Sequence, residues 1–135
     1  MKHLLFAFAI MFSIFGFAQQ KPLIWFQATE YVVAENNGLW EQPQKSRTKV
    51  SVNLNSDSFF MGIIMVYAKD VMTLSLNKYY GRTTNGSSKV STWGFIDNAQ
   101  DTGTCKLFQN NDGTYQLGIY YDDGFKVCYN MKPMN

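Results

Sequence analysis

The chain has 135 residues, with 12 Lys and Arg against 10 Asp and Glu, a formal net charge of +2 and one histidine. That length suits one domain with a real core and leaves little room for a second. Charge so close to balance, with no basic block, argues against a nucleic-acid partner.

The first 18 residues read as a secretory signal peptide. Lys2 and His3 supply a charged start, Leu4 to Phe17 an apolar run, and Gly16-Phe17-Ala18 the small residues of a cleavage site before Gln19. The run is shorter than the ~20 apolar residues that span a bilayer. The expected working chain is residues 19–135, one domain, periplasmic or secreted, with no membrane span after cleavage. His3 leaves with the leader, so the remainder has no imidazole. Ser-His-Asp and Cys-His catalysis and every His-ligated metal site are then excluded.

After residue 18 the apolar pattern has period two, which predicts strands. Ile24 to Val33 is the first, followed by the turn signal Asn36-Asn37-Gly38. Lys45 to Leu54 is the second, with Val50, Val52 and Leu54 inward and Lys45, Arg47 and Lys49 along the solvent face. Asn55 to Ser58 is a turn. Phe59 to Ala68 is continuously apolar, which predicts a central strand covered on both faces, with a bulge or close approach at Gly62. Lys69-Asp70 reverses the chain into a strand whose inner face is Met72, Leu74 and Leu76 and which ends near Tyr80. Gly81 to Ser88 reads as the most polar loop. Val90 to Ile96 and Thr104 to Gln109 flank a second loop at Asp97 to Gly103, and Tyr115 to Tyr121 and Phe125 to Met131 complete the set. The two hairpin turns, 110–113 and 122–124, carry the Asn, Asp and Gly that tolerate positive φ. About eight antiparallel strands in meander order predict an all-β fold, a small up-and-down barrel or a closely related sandwich.

Two cysteines in an exported chain suggest a Cys105–Cys128 disulfide. A four-residue turn at 110–113 pairs Cys105 with Gly118, and a three-residue turn at 122–124 pairs Gly118 with Cys128. Both cysteines then flank Gly118, opposite the face of Phe108, Leu117 and Ile119. Strands two apart lie ~9.5 Å from each other, whereas a disulfide needs Cα atoms within ~7 Å. Either residues 104–109 do not pair fully with 114–121, or a bulge pulls the strands together, or both thiols are free.

The same order puts Asp97, Asp101, Asp122 and Asp123 at one end of the sheet, where oxygen ligands could gather calcium. Their other role is to form turns. No other cofactor is indicated, and no catalytic residue stands out. Trp40, Tyr79, Tyr80 and Tyr120 are the aromatics best placed to meet a ligand or partner. Tyr79 and Tyr80 face opposite ways, and Tyr120 falls on the outer face beside the cysteine row. Gly38-Leu39-Trp40 resembles the Gly-x-Trp of lipocalins, whose tryptophan closes one end of an eight-stranded barrel. Three residues carry the resemblance, and here they follow the first strand rather than lying in it. It implies a cavity for a small apolar ligand.

The leading expectation is non-catalytic binding of a small molecule or an extracytoplasmic protein. The alternatives are a structural or envelope protein with a filled interior, and a small hydrolase using carboxylates alone. An outer-membrane barrel is opposed by the outward Lys45, Lys49, Lys78, Lys106 and Lys126. A void lined by residues such as Val50, Val52, Leu54, Leu74 or Leu117 separates binding from the structural reading.

Overall fold

In the computed structural model, residues 24–54 and 61–134 are described; the segment read as a signal peptide, the turn expected at 55–58 and the first two residues of the strand expected from Phe59 lie outside them. Among the described residues nine strands form one sheet: β1 (Ile24–Ala34), β2 (Gln44–Lys45), β3 (Lys49–Asn53), β4 (Gly62–Tyr67), β5 (Asp70–Asn85), β6 (Ser88–Asp97), β7 (Thr102–Asn110), β8 (Tyr115–Tyr121) and β9 (Lys126–Pro133). From β3 to β9 each strand pairs antiparallel with the next. β1 pairs with β3 over Ile24 to Gln27 and with β9 from Phe26 to Ala34, so the sheet closes on itself. The result is an eight-stranded meander barrel, not a sandwich, with the two-residue β2 added beside Glu30 and Tyr31.

Closure follows from the alternation. Phe26, Val50, Val52, Ile63, Met65, Leu74, Leu76, Phe95, Leu117, Ile119, Val127 and Met131 are buried in a single interior cluster. Val50, Val52 and Leu54 point inward as the pattern predicts. Burying each such side chain contributes ~1.5–3 kcal/mol.

Several local expectations are corrected. The segment 45–54 is not one strand: the regular part begins at Lys49, and Lys45 belongs to the short β2. β4 is not covered on both faces. Ile63 and Met65 are buried while Ile64 and Val66 are half-buried and Tyr67 is exposed, and its register runs past Gly62 without a bulge. The polar stretch 81–88 is not a loop, because β5 runs on to Asn85 and pairs with β6 up to a tight turn at Gly86. Polar composition reflects exposure there, since a barrel strand can lean out past the core.

The largest correction is one residue of register. The β7–β8 turn holds three residues, not four. Asn110 N–H donates to Thr114 O (2.9 Å), and Gly113 sits at φ 87°. The β8–β9 turn is built alike, with Tyr121 N–H on Phe125 O (2.8 Å) and Gly124 at φ 98°. Glycine is needed at both because that region strains other residues. Gly118 does pair with Cys128, but Cys105 pairs with Ile119. A one-residue slip turns every side chain to the other face. Cys105 is therefore inside the barrel, Phe108 outside it, and Cys128 on the outer face beside Gly118. Both thiols are free, because they stand on opposite sides of the wall and no bulge bridges them.

Candidate functional site

The two ends of the barrel are filled differently. At the end holding the β6–β7 and β8–β9 turns, Phe95 meets Tyr121 edge-on (5.2 Å between centroids) and Tyr121 leans on Phe125 (5.9 Å). Asp97 is buried beneath them. Its Oδ1 accepts the N–H groups of Ala99 (2.9 Å) and Asp101 (2.8 Å), and its Oδ2 accepts the Tyr121 hydroxyl (2.9 Å). Burial, that hydrogen bond and the nearby Asp97 and Asp101 charges all push the Tyr121 phenol upward. This end is plugged by aromatic rings pinned through one carboxylate.

The other end is hollow. A cavity of about 660 Å³ opens between β1, β3, β5, β6, β7 and β8. Its apolar lining includes Phe26, Val52, Leu54, Met61, Trp93 and Leu107, and its polar groups are Tyr79, Arg82, Ser91, Gln109 and Tyr115. Phe26 and Tyr115 rings meet at 4.8 Å, and Tyr79 and Trp93 at 5.4 Å. Ligand sites of this kind are ~300–1,000 Å³, mostly apolar, with a few polar groups.

Two bulges in β5 build this mouth. The register with β6 shifts between Leu76 and Lys78 and again between Tyr79 and Gly81. Each extra residue resets the alternation. Leu76, Tyr79 and Arg82 therefore face inward, where plain alternation from Leu74 would have sent Lys78 and Tyr80. Gly81, at φ 111°, supplies the conformation the second bulge requires.

The residues singled out from the sequence fall in different places. Tyr79 lines the mouth. Tyr80 is outside, where a Cβ on Gly94 would approach its ring, and Lys78 Nζ lies 5.0 Å from that ring's centre. Tyr120 is also outside, folded over Gly118 with Lys106 Nζ 5.8 Å above it. Trp40 does not close an end of the barrel. It is 42% exposed on the outer wall, with Lys126 Nζ 4.6 Å from its ring, in a segment tied to β1 by Glu41 N–H on Val33 O. The structural role implied by Gly-x-Trp is absent.

Asp97, Asp101, Asp122 and Asp123 share one end, as the meander requires, but do not form a ligand set. Asp122 Oδ2 accepts the Thr102 hydroxyl and Asp123 Oδ1 accepts Phe125 N–H, both turn contacts. Among the described residues no three His, Cys, Asp or Glu side chains gather to hold a metal. Lys45 and Arg47 instead border a smaller hollow of about 370 Å³ with Tyr31, Tyr67 and Tyr129. Burial pushes Cys105 up to about 12 and raises Cys128 as well, so neither is poised as a thiolate.

Arg82, Ser91 and Gln109 are the site residues that sequence reasoning missed. Gly81 was the available signal, since a glycine amid strand residues marks a bulge. The architecture defines a closed meander barrel with one plugged and one open end. No protein-family model, curated protein or solved structure matches the chain.

Proposed function

We propose that this chain is an exported, non-catalytic binding protein that holds the apolar part of a small molecule in the open mouth of its barrel. The observation carrying this reading is the unfilled volume above Phe26 and Trp93, in a barrel whose opposite end is tightly plugged. An open hollow of about 660 Å³ keeps apolar side chains such as Val52, Leu54 and Leu107 facing unfilled space, which suits a ligand site better than a purely structural barrel. The lining contains neither Asp nor Glu among the described residues, which favours binding over carboxylate hydrolysis.

Native mass spectrometry of the protein recovered from its export compartment tests this. A retained small-molecule adduct is expected, together with a mass that starts at Gln19. Ser91→Phe places a ring inside the mouth, and should abolish the adduct while leaving the thermal midpoint within a few degrees. An adduct that survives in Ser91→Phe would move the binding site elsewhere. Repeated recovery without any adduct, and no uptake of apolar probes, would favour the structural reading.

A further inference from the structure

Among the twelve described residues lining the mouth, one is charged. Arg82 is turned inward by the second β5 bulge, opposite Ser91. Its Nη2 donates to Gln109 Oε1 across the rim at 3.2 Å. Gln109 is neutral, so this contact orients the guanidinium without cancelling its charge. A guanidinium has five N–H donors in a planar fork, and Gln109 engages one of them. Below it lie Phe26, Leu54, Met61, Trp93 and Leu107. A permanent cation at the lip of an apolar hollow complements a molecule charged at one end only.

We infer that the mouth takes an amphipathic organic acid, its apolar body inside the barrel and its single carboxylate at Arg82, with Gln109 as the positioning residue. This rests on the reading of the mouth as a binding site. The planar fork matches a carboxylate bidentately. A dianionic phosphate would bring a second charge with no cation to meet it among the described lining residues, and a cationic ligand would be repelled. The hydroxyls of Ser91, Tyr79 and Tyr115 add donors around the same rim.

Decanoate and decan-1-ol, equal in chain length and different in charge, are the probes. Calorimetric titration of both, against the full-length processed protein and its Arg82→Gln and Arg82→Lys variants, reads the head group directly. Arg82 is exposed, so its contribution falls at the low end for a charge-assisted hydrogen bond. The native protein is expected to bind decanoate about tenfold more tightly than the alcohol. Arg82→Gln should erase that preference while leaving alcohol binding within about twofold, and Arg82→Lys should keep part of it. Octanoate should bind about 15-fold more weakly than decanoate, about fourfold per methylene. Equal binding of acid and alcohol, or a preference unchanged in Arg82→Gln, would overturn the assignment of an anionic head group and leave the pocket standing. Binding of neither probe at millimolar concentration would overturn the pocket itself, and this inference with it.

Discussion

The two ends of this barrel use the same kinds of residue to opposite effect. At the plugged end, the Phe95, Tyr121 and Phe125 rings interlock, and Asp97 ties the Tyr121 hydroxyl to the backbone N–H groups of Ala99 and Asp101 in the β6–β7 turn. At the mouth, Phe26, Tyr79, Trp93 and Tyr115 touch only in pairs and leave a hollow between them. Aromatic content therefore does not decide whether a small barrel is filled. What decides it is whether turns fold rings across the axis, as at the plugged end, or bulges push strands outward, as in β5. Packed rings are concentrated at one end and unfilled volume at the other.

The sharpest way to break this contrast is at Phe95, which is 1% exposed. Phe95→Ala should cost about 3–5 kcal/mol in denaturant unfolding, whereas Tyr79→Ala at the mouth, where Tyr79 is 55% exposed, should cost less than ~1 kcal/mol. Comparable losses at the two positions would mean the ends are not different in kind. A pH series probes the filled interior through Cys105. Burial raises its thiol from 9.0 to about 12, so the unfolded chain releases this proton before the folded one. The associated stability is whole below pH 9 and declines as pH rises towards about 12, by up to ~1.4 kcal/mol per pH unit. Cys105→Ala should flatten that part of the profile. A profile that keeps its slope in the variant would place the alkaline sensitivity elsewhere, with Tyr121 the next group to test. Asp97→Ala strands two backbone N–H groups and a phenol, and should lower stability by about 1–3 kcal/mol without altering probe uptake at the mouth. The smallest effect belongs to the outer wall. Lys126→Ala removes the cation over Trp40, should cost ~0.5–1 kcal/mol, and should shift tryptophan emission without affecting either end.

Most of the barrel was legible because closing a sheet demands alternation, and Val50, Val52, Leu54, Leu74 and Leu76 display it. The β8–β9 register was legible for a different reason. Asp122-Asp123-Gly124 leaves one residue, the last, to take positive φ. The same reasoning failed one hairpin earlier, because Asn110 counted as part of the turn. It in fact pairs with Thr114, whose hydroxyl and N–H are both held by Asp112 Oδ1. Those two hydrogen bonds draw the Asp112 carboxyl below its ordinary range. Misplacing that residue brought two cysteines to one face that the barrel keeps apart. The site itself was the least legible part. Bulges break the period that makes strands readable, and β5 has two of them at the positions that aim Tyr79 and Arg82 inward.

The seam between β1 and β9 has a consequence for how the chain reaches this state. Every other neighbour in the closed barrel pairs across a short connection, or across the single longer one from β1 to β3. Glu30, however, must find Asn130, one hundred residues away. Local hairpins form early and cheaply, while the distant pairing carries the loop-closure entropy. Until β9 docks, an otherwise complete meander presents two long open edges to any other strand. Closure of the barrel must therefore wait for β9, and the interval before it docks is when the open edges most favour aggregation.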